Sequence, residues 1–234
     1  NIQGKYASAI KYYTRSLVIR EEIGDKRGIA GSLANIGVIY NKQGDYARAI
    51  DYQTRCLAIK EEFGDKWGIA LSLSNIGIIY HTQGDYARAI DYYKSSLAIQ
   101  EEIGDKRGST FNLNNIGIIY DDQGDSAYSA GNTSLSADKY ARAIDYYTLC
   151  LAIEEEIGNK LGVAGSLANI GNIYRNQGDY TNAITLSTRA LTIAQEIGAV
   201  IETRASAHTL YELYKATGRN KLSLEMYELY IATR

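Results

Sequence analysis

The sequence repeats itself every 40 residues, and this repeat constrains the fold more than any other feature. The string QGDYARAIDY begins at Gln43 and returns at Gln83. Two further strings, NIGVIY at Asn35 and EEIGDKRG at Glu21, each return three times with small changes. One interval is 54 residues because 14 extra residues, 126–139, interrupt it. Self-similarity at such a period predicts an array in which each repeat stacks on its neighbours.

Each repeat has the pattern of two helices. From Lys66 onward, apolar residues such as Ile69, Leu73 and Ile76 recur at helical spacing. Gly84 then favours a left-handed helix end, and Asp85 favours the start of the next helix. The chain contains no proline, which suits many helices. Since the connections are short, we expect an all-α fold of antiparallel helix pairs, helix A and helix B, with about 11 helices in total.

We expect residues 1–234 to form one array of repeats. The boundaries that we expect are 1–24 with helix B only, 25–64, 65–104, 105–158 with the insert 126–139, 159–198, and a divergent repeat at 199–234. The insert is rich in Ser and Ala around Gly131 and predicts a flexible loop, either a tolerated insertion or a contact for a partner. Because the chain starts at a helix B and stops in mid-helix, we interpret it as a fragment of a longer protein.

Composition and motifs argue against several functions. The net charge is −2, so no basic surface for nucleic acid is expected, and no long apolar run predicts a membrane span. Phosphate loops and nucleophile–base pairs are absent from the sequence, and carboxylate pairs such as Glu61 and Glu62 recur in every repeat, which is typical of a solvated face. His81 and His208 lack companion ligands. We therefore expect no enzyme activity, metal or cofactor.

The two cysteines bear on the compartment. Cys56 and Cys150 occupy equivalent positions of helix B, where other repeats carry Ser or Ala, so we expect small packing residues too far apart for a disulfide. Thiols of this kind suit a reducing compartment and favour a cytoplasmic location. A periplasmic location stays open because the N-terminus looks truncated.

The repeat resembles the tetratricopeptide repeat. That family has the pattern W-x2-L-G-x2-Y followed by A-x3-F and P, and this chain has Leu33, Ile36, Gly37, Tyr40 and Ala49 in the same register. Glu replaces the terminal Pro, and the period is 40 instead of 34. The chain thus resembles the long-repeat subclass of kinesin light chains, LGN/Pins adaptors and bacterial signalling proteins. The resemblance implies a right-handed α-solenoid whose A helices line a concave surface that binds peptides.

The resemblance also places candidate binding residues on helix A. An asparagine recurs in the middle of this helix, where Asn is a poor helix former. Its amide both donates and accepts, so it could hold a partner's backbone, or instead hold the neighbouring repeat. The candidates are Asn35, Asn75, Asn115 and Asn169 in this ladder; Val38, Ile78, Ile118 and Asn172 one turn on; Asn41, Lys42, His81, Asp121 and Arg175 near the helix end; and Leu71 and Phe111 earlier in the helix.

Two functions are compatible with these patterns. In the first, the chain is a scaffold that binds a protein or peptide, as the sensor or docking region of a larger signalling protein. Leu71, Phe111 and Trp67 would be apolar anchors, and the mixed charges near the helix ends would set charge preference. Similar bacterial arrays often precede a histidine kinase or nucleotide cyclase. In the second, the chain has a structural role and self-associates weakly through apolar surface exposed on its end repeats.

Overall fold

A computed structural model describes residues 2–233, which contain eleven helices and no strand. This confirms the prediction of an all-α fold with about 11 helices. The helices are α1 (Ile2–Glu22), α2 (Lys26–Lys42), α3 (Tyr46–Glu62), α4 (Lys66–Gln83), α5 (Tyr86–Ile103), α6 (Lys106–Ser129), α7 (Thr133–Glu156), α8 (Lys160–Asn176), α9 (Tyr180–Glu196), α10 (Val200–Ala216) and α11 (Asn220–Ala232).

Glycine and aspartate set the boundaries of most helices, as the sequence predicted. Gly84 ends α4 in the left-handed conformation with φ of 83°. Asp85 follows, and its carboxylate accepts a hydrogen bond from the N–H of Arg88, which satisfies a free donor at the start of α5. Gly104 and Asp105 repeat the arrangement before α6. Such tight connections leave consecutive helices antiparallel.

The chain divides into two compact units, residues 1–112 and 113–234. In the first unit, α2 packs against both its partner α3 and the next A helix, α4. In the second unit, α8 approaches α10 in the same way. Helix A therefore adjoins helix A within each unit, which is the packing of tetratricopeptide helix pairs. The division falls within α6, so the single array over residues 1–234 stays a prediction.

A glycine in helix A lets a large side chain of helix B pack against the backbone. Tyr93 of α5 is fully buried over Gly77 of α4, and a Cβ at Gly77 would lie 2.7 Å from its ring. Tyr147 packs over Gly117 in the same manner. Glycine at this position of helix A thus allows helix B to approach closely.

The insert is helical, so the prediction of a flexible loop at residues 126–139 was wrong. Helices α6 and α7 each have 24 residues, whereas α2 and α3 each have 17. Each helix of the pair thus gains seven residues, or about two turns at 3.6 residues per turn. Because two turns nearly restore the angular phase, the faces of both helices keep their direction. The turn moves to Gly131, with φ of 75°, and Asn132 caps α7.

Packing explains why the helix continues through a sequence that ends it elsewhere. Gly124 corresponds to Gly84 but lies inside α6, where the buried ring of Tyr140 covers it; a Cβ there would be 2.6 Å from the ring. The Tyr140 hydroxyl donates a hydrogen bond to Asp125. Ser136 Oγ donates to the carbonyl of Gly124 at 3.0 Å. These contacts join the added turns of α6 and α7.

Candidate functional site

In the first compact unit, the predicted A-helix residues surround a pocket of about 410 Å³. It lies between α4 and the start of α6, and the end of α5 forms its floor. Four of the predicted binding residues meet there: Trp67, Leu71, Asn75 and Phe111. The full lining is Trp67, Leu71, Ser74, Asn75, Gln100, Asp105, Arg107, Gly108 and Phe111.

The walls of this pocket are apolar and accessible. Trp67, Leu71 and Phe111 are 58%, 44% and 46% exposed, whereas core residues of the same helices are almost fully buried. The position of Leu71 and Phe111 is occupied by Gly31 and Gly165 in the flanking repeats, so the large side chains are confined to the middle of the array. Covering such a side chain with another apolar group is worth about 1.5–3 kcal/mol when burial is complete. The pocket can therefore hold an apolar side chain.

The asparagine ladder divides into two kinds of residue. The side chains of Asn35 and Asn75 make no hydrogen bond to any described part of the chain, and Asn75 lines the pocket. Asn169 instead donates from Nδ2 to Asn114 Oδ1 at 3.3 Å, which links α8 to α6. Asn115 is also engaged within the chain. The amide of Asn75 is thus available to a ligand, while that of Asn169 joins two repeats.

A buried polar network holds the pocket floor, and sequence reasoning missed it. Asn112 is fully buried, and its Nδ2 donates to Ser96 Oγ at 2.9 Å and Gln100 Oε1 at 2.7 Å. Ser74 Oγ donates to Asn112 Oδ1 at 3.0 Å. A satisfied buried network rigidifies its surroundings, so the three helices around the pocket are held in place without a ligand. The sequence does contain a sign of this network. Asn112 departs from the repeat, because the equivalent residues are Ser32, Ser72 and Ser166.

In the second compact unit, the predicted residues form a polar surface on α6 and α8. Asn176 Nδ2 donates to Asp125 Oδ1 at 3.0 Å. Burial, with the negative charges of Asp125 and Asp122, raises the pKa of Asp121 to about 7, and the charge of Arg175 opposes this rise. One oxygen of Asp121 is buried without a hydrogen bond. Half-buried Ile118 and Asn172 lie on the same helices.

The raised pKa of Asp121 makes stability depend on pH. The unfolded chain releases this proton near pH 3.8 and the folded chain near pH 7, so the folded state holds more protons in between. Stability should therefore fall as the pH rises from about 4 to about 7. Because solvent screens part of the effect, we expect Asp121→Asn to be about 1–2 kcal/mol more stable than the parent above pH 7 and similar to it near pH 4.

Urea unfolding across this pH range measures the difference. Asp122→Asn is the companion variant: since the Asp122 charge raises the pKa of Asp121, its removal should shrink the pH dependence without abolishing it. Equal pH profiles for the parent and Asp121→Asn would contradict the prediction.

The remaining predicted residues lie away from the pocket, toward the ends of the A helices. Lys42 is exposed, and Asn41 and Ile78 are half-buried. The ring of His81 lies 5.8 Å from that of Tyr86 at the start of α5. Val38 is exposed on α2. The structure thus places the predicted residues on several patches and brings four of them together in one pocket: Trp67, Leu71, Asn75 and Phe111.

Neither a metal site nor a reactive thiol is evident in residues 2–233. No group of three His, Cys, Asp or Glu side chains there could hold a metal ion. Cys56 and Cys150 are both buried, and burial raises the pKa of each thiol. Neither is therefore an activated nucleophile. Among the described helices, none combines the length and apolar character needed to cross a membrane.

Comparison with known families agrees with this architecture. The profile of the tetratricopeptide repeat matches residues 1–62, 68–127, 126–196 and 162–234, which together span nearly the whole chain. The chain therefore belongs to the tetratricopeptide-repeat family. No curated protein shows significant sequence similarity to it.

Solved structures share the fold at low sequence identity. BtubC from P. vanneervenii has a TM-score of 0.81 at 19% identity, covering 98% of this chain and 91% of that one. Kinesin light chain repeats of Podosopora anserina give 0.63 at 16% identity, covering 86% and 93%. A Rap protein complexed with Competence and Sporulation Factor gives 0.61 at 16% identity, covering 96% and 57%. At these identities the likeness concerns the fold.

Proposed function

We propose that this chain is a protein-interaction scaffold that binds a peptide segment of a partner on its A helices. The observation that carries the proposal is the pocket of the first unit. There, three half-exposed apolar side chains surround Asn75, whose amide has no internal hydrogen bond among the described residues. Apolar walls with a few placed polar groups are typical of ligand sites.

The pocket suggests how a segment would bind. An apolar side chain would enter between Leu71 and Phe111, while the amide of Asn75 would donate to and accept from the segment's backbone. Since the Asn112 network already fixes the floor, little ordering would be needed on binding. The Rap protein with its bound factor supports a ligand-binding role for helix arrays of this fold.

The wider setting follows from the same proposal. We infer that the chain serves as the sensor or docking region of a larger signalling protein, and we assign it no catalysis. The buried, reduced thiols support a cytoplasmic location. Lys42, Asp121 and Arg175 carry charges of both signs, so neither a purely acidic nor a purely basic partner is favoured.

Replacement of Asn75 tests the proposal. A random peptide library would be selected on the immobilised chain, and the affinity of each selected peptide measured by fluorescence polarisation. We expect Asn75→Ala to weaken binding about fivefold to twentyfold, because one or two hydrogen bonds are lost from the complex only. Its unfolding free energy should hardly change.

Asn169→Ala is the matched control. Because Asn169 bonds Asn114 within the chain, this variant should lose about 0.5–1 kcal/mol of stability and keep its affinity for peptides that occupy the first unit. Failure to select any peptide would exclude the proposal. If the parent and Asn75→Ala bound the peptides with equal affinity, Asn75 would not be part of the binding site.

One observation favours the structural alternative. Tyr13 of α1 corresponds to Tyr93 and Tyr147, yet it is 36% exposed while they are buried. No described helix covers the face of α1 that would pack on a helix A, and Ile23 is exposed on the same helix. Stacking of chains through this face would give a mass that rises with concentration in light scattering. A constant monomer mass would exclude it.

A further inference from the structure

One position at the end of helix B lies beneath the start of the next A helix, and its residue changes from repeat to repeat. In the first three repeats, the side chain finds a partner within the chain. Arg20 Nη1 donates to the carbonyl of Gly28 at 2.5 Å, and Lys60 Nζ donates to Asp65 at 2.7 Å. Gln100 accepts from Asn112 at 2.7 Å. The position is thus a polar one whose occupant is satisfied.

Glu154 occupies this position in the second compact unit, and it has no partner. The residue is 6% exposed, and its Oε2 is buried without a hydrogen bond. The neighbouring acidic residues do form ion pairs, Glu196 with Lys160 and Glu155 with Arg189, but these pairs do not include Glu154. An uncompensated buried charge is strongly unfavourable. The buried oxygen without a hydrogen bond therefore costs stability.

The surrounding residues are arranged as if an anion were kept here. In the earlier repeat, Lys60 pairs with Asp65. The equivalent residues here are Glu154 and Asn159, so the aspartate is replaced by a neutral residue where a glutamate replaces the lysine. The Asn159 side chain makes no capping hydrogen bond, unlike Asp65. Nearby cations are engaged elsewhere: Lys160 pairs with Glu196 at 3.1 Å, and Arg189 lies 3.8 Å from Glu155.

The carboxylate of Glu154 packs against the backbone of a glycine in α8. A Cβ on Gly162 would lie 2.4 Å from Glu154 Cδ, so the carboxylate sits directly against that backbone. One turn further along α8, a Cβ on Gly165 would meet no atom within 4 Å. Phe111 holds the position equivalent to Gly165 and walls the pocket of the first unit. Here no such side chain is present, and the space beside Gly165, one turn from the residue that touches the carboxylate, is open.

We propose that Glu154 lies at the bottom of a second subsite. This subsite binds a cationic side chain of the partner, either lysine or arginine. A cation entering over Gly165 would supply the positive charge that no described side chain of this protein provides to Glu154. The assignment of the cation to a partner's side chain rests on the proposed scaffold function, whereas the cation site itself does not. The two compact units would then bind different kinds of side chain, an apolar one in the first unit and a cationic one in the second.

Small cationic probes test the site without a known partner. Nα-acetyl-lysine methylamide and Nα-acetyl-arginine methylamide would be titrated into the ¹⁵N-labelled chain, with the norleucine analogue as the neutral, matched control. We expect saturable shifts of the Gly162 and Gly165 amides with the two cations and none with norleucine. The larger shift at equal concentration would distinguish lysine from arginine. Glu154→Gln should abolish the shifts.

Thermal unfolding of the same variant gives a second readout. Gln100 occupies the equivalent position, so a glutamine fits there, and removing the unpaired charge should raise the Tm of Glu154→Gln above that of the parent. A lower Tm would mean that Glu154 has a structural partner and would overturn the proposal. So would absent cation shifts in the parent, or equal shifts in the variant. If the cations bind but no peptide can be selected, the scaffold function fails and the cation site stands.

Discussion

Replacement of Gly77 by alanine should destabilise the first compact unit by about 1–3 kcal/mol, although alanine is the better helix former. In an exposed helix this change gains about 1 kcal/mol. Here the new Cβ would lie 2.7 Å and 2.8 Å from two ring carbons of Tyr93, which is fully buried and has no room to withdraw. Close-packed interiors transmit such strain, so α4 and α5 would have to separate.

Urea denaturation of the parent and variant measures this effect, and the repeat offers a matched control. Gly171 is the equivalent residue in the second unit, but it faces the small Ser187, whose Oγ would be 3.1 Å from a Cβ. Gly171→Ala should therefore cost little or be neutral. Adding Tyr93→Ser to Gly77→Ala should give less destabilisation than the two single changes combined. A Gly77→Ala variant as stable as the parent would show that Tyr93 does not lock the pair.

The double variant Leu71→Ala/Phe111→Ala should weaken binding of peptides selected on the parent by about 30-fold to 100-fold, or about 2–3 kcal/mol. Both side chains wall the pocket and are only half-buried in the free protein. Most of the apolar area that they offer is thus buried only when a ligand enters. For the same reason, the variant should unfold at nearly the same urea concentration as the parent.

Fluorescence polarisation with the selected peptides would measure the loss. A suitable control is Val18→Ala/Leu149→Ala, which removes two comparably exposed apolar side chains from B helices, outside the pocket. This control should retain affinity. If both double variants lost affinity equally, general hydrophobic contact would explain the binding, and the pocket would not be the site. Unchanged affinity of Leu71→Ala/Phe111→Ala would exclude it directly.

Helix boundaries were predictable because their causes are local. The Gly-Asp dipeptides at 84–85 and 104–105 act within a few residues of the chain, through a left-handed backbone and a capping carboxylate. The insert escaped prediction because its cause is not local. The Gly-Asp dipeptide at 124–125 lies inside a helix, and the reason is that Tyr140, 16 residues away, packs on Gly124. Ser, Gly and Asn in the insert suggested a loop, and they mark a turn only at Gly131 and Asn132.

The candidate site shows the same limit. The apolar residues Trp67, Leu71 and Phe111 stood out in the sequence because they break the repeat. Which asparagine would be engaged could not be read there, since the partner of Asn169 is Asn114, 55 residues earlier. In the sequence, Glu154 is one of three consecutive glutamates at a helix end. Its isolation becomes visible only when its burial is known.

The lengthened helix pair α6–α7 has a consequence for how such a chain can change in evolution. An addition of two turns to each arm leaves the core-facing stripes aligned, so neighbouring helices need no repacking. An addition of one or two residues per arm would rotate those stripes by about 100° or 200°. Hairpin tips should therefore accept new segments in steps of about 14 residues. Other lengths should be selected against, unless they are looped out.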